Sequence, residues 1–286
     1  MPRRVAFINE KGGSGKTTLA ANFAAYLAMH RGHRVLAVDM DPQGQLGKAL
    51  GVDVRQLRRS AVELVVDSVL GEAAGDAARG LGPADTRLPS IRTRIENLDV
   101  IVANKALALF PTWTDAAGGD PTHKLAARLE RVPELGLYDF VLFDAPPSFG
   151  PLTLNVLRAC DEVVVPVPLT YLAADGCAEL LRTLDVVRGH YAHPGLRISM
   201  VVPTFYRRTK LAEELLENLK QRFPKEISHT VVGFYVKLDE AQSHGVSIFE
   251  YAPSDRGARI MAALAEELEA RGRPNFTPEG RGAARK

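Results

Sequence analysis

Three short stretches carry the residues whose types and spacing suit chemistry. The first is "NEKGGSGKTT", Asn9 to Thr18. Gly12, Gly13 and Gly15 let backbone N–H groups converge on an anion with no Cβ in the way. Lys16 is placed to reach the outer phosphates of a nucleotide, and the Thr17 hydroxyl to ligate Mg²⁺. Ser14 and Thr18 complete the loop. Its second half is that of a phosphate-binding loop, Gly-Lys-Ser/Thr, but Glu10 stands where the standard pattern has its first glycine. The second stretch is "VDMDPQG", with Asp39 and Asp41 at the end of an apolar run. Alternate strand positions point the same way, so both carboxylates can face one ligand. One is suited to hold a Mg²⁺-bound water and the other to orient an attacking water. The third stretch, "FVLFDAPPS", ends an apolar run on Asp144, as a Walker B strand does when its carboxylate binds Mg²⁺. Pro146 and Pro147 stiffen the turn that follows.

These stretches need elements to position them. "VAFI" (Val5–Ile8) reads as a strand leading into the Gly-rich loop. Leu19, Phe23, Ala24, Leu27 and Ala28 recur at helical spacing after it, with Gly32 as a C-terminal stop. That helix, starting near Lys16, turns its positive dipole end toward the loop. Further strand-like runs are Val35–Val38, Leu98–Ala103, Phe140–Phe143, Glu162–Pro168, Ile198–Pro203 and Thr230–Val236. Strands apolar on both faces and separated by helices predict an α/β fold. Its form is a doubly wound, mainly parallel sheet with helices on both faces. The pattern predicts one domain over residues 1–271 and a disordered tail over 272–286. Gly71–Pro89 reads as a loop with a short helix and Thr112–Pro121 as an exposed loop.

The chain has 286 residues, 46% of them hydrophobic, and a formal net charge of +2. So small a charge does not argue for nucleic acid, and any basic surface must be local. No apolar run is long enough to span a bilayer, and the short run after Arg3 and Arg4 does not make a signal peptide. Cys160 and Cys177 have neither metal-site nor disulfide spacing.

Together, "KGGSGKTT" (Lys11–Thr18), "DMDPQG" (Asp39–Gly44) and "DAPPS" (Asp144–Ser148) resemble the deviant Walker A family that includes ParA and MinD. "DPQG" and "EAQSHGVSIFEYAPSDRGA" (Glu240–Ala258) resemble its ParA partition branch. The resemblance runs from Val5 to about Ala270. It implies an ATPase using ATP and Mg²⁺, active as an ATP-bound homodimer. Lys11 matches the family's signature lysine, which reaches across to the partner's nucleotide. Asp41 matches its water-activating aspartate, and Asp39 and Asp144 match its Mg²⁺-region acids. Pro203 and Thr204 fall at the nucleotide. The physics agrees, because the charge developing on a transferred phosphoryl group calls for a cation beyond Lys16.

The same resemblance implies non-specific DNA binding, which needs clustered cations. Arg207, Arg208 and Lys210 form one patch, and Lys237 belongs to another. Many relatives have Ile-Pro-Arg-Asn before the position of Lys237. This chain has Val232, Gly233, Phe234 and Tyr235, so a cation gives way to aromatics. The start at Met-Pro-Arg-Arg leaves no room for a helix-turn-helix domain, which argues against operator binding. The helix Ala258–Gly272 has an acidic polar face, whereas a membrane-surface helix favours Lys and Arg. A cytoplasmic, nucleoid-associated partition ATPase follows, with slow hydrolysis stimulated by a ParB-like or other partner protein, and no membrane. The alternatives are a positioning ATPase for a protein cargo and a metabolic amidoligase or metal-chelatase ATPase of the same superfamily.

Overall fold

In the computed structural model, the described residues are 1–53, 57, 59–66, 87–111, 120–170 and 173–272. Among the described residues, seven strands form one sheet: β1 (Arg3–Phe7), β2 (Val35–Asp39), β3 (Ile91–Arg92), β4 (Leu98–Ile101), β5 (Phe140–Asp144), β6 (Glu162–Pro168) and β7 (Arg197–Thr204). Their order is β3-β4-β2-β5-β1-β6-β7. All pairs are parallel except β3 with β4. The α-helices among the described residues, in chain order, are α1 (Lys16–Arg31), α2 (Gln45–Ala49), α3 (Val62–Val65), α4 (Lys124–Glu130) and α5 (Pro151–Ala159). They continue with α6 (Ala173–Gly189), α7 (Lys210–Arg222), α8 (Val236–Ser243), α9 (Ile248–Tyr251) and α10 (Arg256–Arg271).

Strand alternation divides the core in two. Ala6, Leu36, Val38, Val141, Phe143 and Val163 face one side with residues of α3 to α7. Val5, Phe7, Val35, Ala37, Leu142 and Val164 face the other with α1, α2, α8, α9 and α10. Because both faces are covered, every residue of β2, β5 and β6 is buried. This explains why these runs lack a polar alternate. α1 ends where Gly32, at φ 69°, turns left-handed and its N–H returns to the Leu27 carbonyl.

The run Thr230–Val236 was expected as a strand and is not one. It follows the end of β7 through one isolated bridge, Tyr206 with Gly233, and α8 starts at Val236. The Val232 N–H donates to the Pro203 carbonyl, and the Tyr206 N–H donates to the Val232 carbonyl. Gly233 gives the segment no side chain to pack, and the helix follows too closely for a ladder to extend. Most of Gly71–Pro89 and Thr112–Pro121, and the tail beyond Gly272, lie outside the described residues.

Arg271 closes the edge of the sheet. Its guanidinium donates to the carbonyls of Ser199, Lys225, Glu226 and Ile227 and to Glu267, and both charged side chains are buried. Removing one member of a buried pair leaves the other charge uncompensated. Arg271→Ala is therefore expected to lower stability by about 3–5 kcal/mol, read from the shift of a urea unfolding curve.

Candidate nucleotide site

β1, β2 and β5 lie side by side, and their C-terminal ends bring the three motifs together. Phe7 and Asp39 both pair with Asp144 in register. In a parallel sheet these ends form the edge where ligands bind. Asn9, which the sequence reading passed over, anchors the start of the loop. Its amide donates to the Pro166 carbonyl (2.6 Å) and accepts from the Lys11 N–H (2.9 Å). A buried polar residue between an apolar strand and a Gly-rich loop was the available signal.

The loop then turns at Gly13 (φ 70°) and Gly15 (φ 95°), left-handed positions that only glycine takes without strain. A Cβ on Gly12 or Gly13 would meet nothing within 4 Å, so the concave side of the loop is open. Gly15 caps α1 without a side-chain hydrogen bond, and the first turn of α1 has no acidic residue. The helix thus presents uncapped N–H groups and its positive end to the cradle. The Thr204 hydroxyl donates to the Ser14 carbonyl (3.0 Å), fixing the loop to the end of β7. Pro203 precedes Thr204, buried in the strand, and its carbonyl accepts the Val232 N–H.

Lys16 is buried, and its ammonium donates to the carbonyls of Asn9 (3.0 Å) and Lys11 (3.4 Å). Burial lowers its pKa, while Asp144 and then Asp41 work in the opposite direction. The Thr17 hydroxyl donates to Asp144 Oδ2 (2.6 Å). Asp144 Oδ1 is buried and has no hydrogen-bond partner. Burial pushes the Asp144 carboxyl up to about 7, against the pull of Thr17 and Lys16. A buried acceptor with no donor is costly to leave so. A hydroxyl oxygen and a free carboxylate oxygen at a phosphate cradle are the hard donors that Mg²⁺ takes. The residues therefore fit that ion.

The two aspartates of "VDMDPQG" have different surroundings. Asp39 ends β2, fully buried, and its carboxylate accepts the N–H groups of Asp41, Leu46 and Gly47. It holds the turn into α2. Burial, and then the charge of Asp144, raise its pKa. Asp41 lies beyond the strand and is partly exposed, near enough to Lys16 and Asp144 to shift both. Strand alternation stops at Asp39, which is why the pair divides. Lys11 lies across the rim, its ammonium donating to the Thr170 hydroxyl (3.0 Å).

Behind the loop, the Thr18 hydroxyl donates to Gln242 on α8 (3.0 Å). One turn on, the buried Asn22 donates to the Thr18 carbonyl and accepts the Ile248 N–H at the start of α9. Asn22 carried no sequence signal, and Gln242 lies in the Glu240–Ala258 stretch with no role assigned to it there. Beside Gly15 and Thr18 is a cavity of about 60 Å³, walled by Thr204, Phe205, Phe234 and Tyr235.

The fold joins the two basic segments. Arg207, Arg208 and Lys210 are exposed around Thr209, the N-cap of α7. Lys237 is exposed in the first turn of α8, paired with Glu240 (2.7 Å). The Tyr206–Gly233 bridge brings the segments together, and the Arg207 guanidinium lies over the Phe234 ring at 4.2 Å. No described helix is long and apolar enough to cross a membrane.

Comparison with known proteins places the arrangement among relatives. The family model AAA_31, an AAA domain, matches residues 2–198. The sporulation initiation inhibitor protein Soj of Bacillus subtilis is 37% identical over 278 residues, 95% of this chain and 100% of the relative. The chromosome-partitioning ATPase Soj of Thermus thermophilus is 40% identical over 273 residues, 94% of this chain and 96% of the relative. Among solved structures, cobyrinic acid a,c-diamide synthase from Mycobacterium smegmatis, with bound ATP analog and magnesium, is similar at TM-score 0.74. It is 29% identical, with 93% of each chain covered.

Asp39 and Asp144 are buried to the same degree for different ends, and substitution separates them. Asp39→Asn sets an amide N–H₂ against backbone donors and should cost about 1–3 kcal/mol of stability. Asp144→Asn removes a desolvated charge and should leave the ligand-free protein at least as stable as wild type. Thermal unfolding of the two variants without nucleotide checks this.

Proposed function

The chain belongs to the ParA/Soj family of partition ATPases, and from that premise we propose that it is an ATP-driven dimerising switch whose ATP-bound dimer holds DNA non-specifically. The observation that carries the reading is the convergence of the Gly12–Thr18 cradle, Lys16, Thr17, Asp144 and Asp41 on one sheet edge. An ATP analog and magnesium in the Mycobacterium smegmatis structure support the same ligands here.

Loop N–H groups and the end of α1 cradle the phosphates, and Lys16 leaves its two loop carbonyls to meet the outer ones. Thr17 and Asp144 would hold Mg²⁺, which would supply positive charge against the phosphates. Asp39 keeps the Asp41–Gly47 turn in place. Asp41 orients the attacking water from the open side. Lys11 exchanges Thr170 for the γ-phosphate in a second protomer's site, so that ATP joins two chains and its hydrolysis releases them. Hydrolysis is slow until a ParB-like partner acts. Arg207, Arg208, Lys210 and Lys237 form the DNA-facing surface, and their exposure supports that role.

The test separates the parts. Asp41→Ala with ATP should elute as a dimer in size-exclusion chromatography and as a monomer with ADP; a monomer in both sinks the switch. Lys11→Ala should keep ATP binding and lose the dimer. Arg208→Glu should weaken duplex retention roughly tenfold or more at 100 mM salt, as removal of a phosphate contact and addition of a like charge require, with ATP affinity unchanged. Unchanged retention would reject the patch, and absence of any ATP-dependent DNA binding in the wild type would favour a protein cargo.

A further inference from the structure

Phe205 has a backbone that its side chain does not favour. Its φ is 56°, in the left-handed region where bulky residues are uncommon. Strain of this kind persists where surrounding structure enforces it, and it gathers at ligand sites and switches. Phe205 directly follows Thr204, whose hydroxyl holds the phosphate loop. From there a column of rings leads outward. The Phe205 and Phe234 centroids are 5.2 Å apart at an interplanar angle of 43°. The Arg207 guanidinium lies over Phe234, 4.2 Å from the ring centroid. Phe234 is 52% exposed and also walls the cavity beside Gly15 and Thr18.

That cavity, at about 60 Å³, is well below the roughly 300–1,000 Å³ of ligand pockets. It opens next to the first turn of α1, where a group attached to a loop-bound phosphate chain would lead. The two phenylalanines limit its size. Their faces suit a purine, whose flat π-system stacks on aromatic rings. An exposed cation–π contact such as that of Arg207 is weak enough to yield when Phe234 moves.

We propose that Phe205 and Phe234 are the base-sensing residues of this site: they part to stack on a purine, and Phe234 thereby releases Arg207 to the basic surface. The proposal rests on the ATP-site and DNA-surface readings above. It makes Arg207 a cation offered to DNA when the base is in place, whereas Arg208 and Lys210 are offered at all times. A ligand shifts such an equilibrium by as much as it prefers the open form, and stacking supplies the preference.

The experiment has a fluorescent arm and a DNA arm. Trp113 is the one tryptophan of the chain. In a Trp113→Phe background, Phe234→Trp places a reporter in the column. Its emission should change on adding Mg-ATP or Mg-ADP and stay constant with Mg-tripolyphosphate, which fills the loop but brings no base. An equal response to tripolyphosphate, or no response to ATP that calorimetry shows to be bound, overturns the proposal. No ATP binding by calorimetry sinks the ATP-site reading itself.

In the DNA arm, Phe234→Ala and the milder Phe234→Leu should raise duplex retention without nucleotide. The ratio of retention with ATP to retention without it should fall at least threefold. Adding Arg207→Ala should reverse the rise. An unchanged ratio in both Phe234 variants, each verified as folded by circular dichroism, overturns the release of Arg207. Absence of ATP-dependent retention in the wild type counts instead against the DNA-surface reading.

Discussion

The bond from the Thr17 hydroxyl to Asp144 is where the architecture and the chemistry meet. Asp144 ends the strand between β1 and β2, so its carboxylate is surrounded by the ends of all three. Such a position is dry, and dryness makes a lone carboxylate oxygen expensive. The fold keeps it so, with Oδ1 unpartnered and the carboxyl pushed up to about 7. Neighbouring Asp39 is buried to the same extent but accepts three backbone N–H groups. One acid stabilises the turn that carries Asp41, and the other is left short of a partner at the place where a cation fits. Local costs of this kind are expected where a protein binds its ligand.

α1 delivers that geometry to the rest of the molecule. It is buried from Leu19 to Ala28 and packs against β1, β2, β4, β5, α2, α9 and α10. Five alanines in that span let neighbours approach on most sides, so it lacks the polar stripe of a surface helix. Asn22 is the polar exception and is fully used, with one bond back to Thr18 and one to the start of α9. Thr18 grips α8 through Gln242. The helix that opens at the phosphate loop is thereby tied to the helix that carries Lys237. A shift at the loop has a rigid path to the basic surface because α1 has little freedom to absorb it.

The motifs that meet at the candidate site were legible in the sequence because each is local. Gly13 and Gly15 are glycine for reasons of φ, and Asp144 is announced by the apolar strand before it. The doubly wound sheet was legible because strands buried on both faces leave long apolar runs. What stayed hidden depends on contacts distant in sequence. Asn9 is explained by the Pro166 carbonyl and Asn22 by the Ile248 N–H. Thr230–Val236 misled because a β-branched run looks the same whether or not a strand lies beside it. Here the run takes part in one isolated bridge, Gly233 with Tyr206, which lies just past the end of β7. The division of Asp39 from Asp41 was hidden for a related reason: period two holds only while the strand lasts.

The aromatics at Phe234 and Tyr235 then take on a different meaning. Read alone, they mark a cation lost from a segment expected to face DNA. In three dimensions Phe234 is a seat for a cation supplied from elsewhere, since Arg207 lies on its outer face. The positive charge of that corner has moved to another segment. A guanidinium on a ring is held less firmly than one in an ion pair, and Lys237 shows the contrast through its bond to Glu240. The inner edge of the same ring closes the cavity beside the loop. Phe234 thus touches both the cavity beside the phosphate loop and the Arg207 guanidinium of the basic segment.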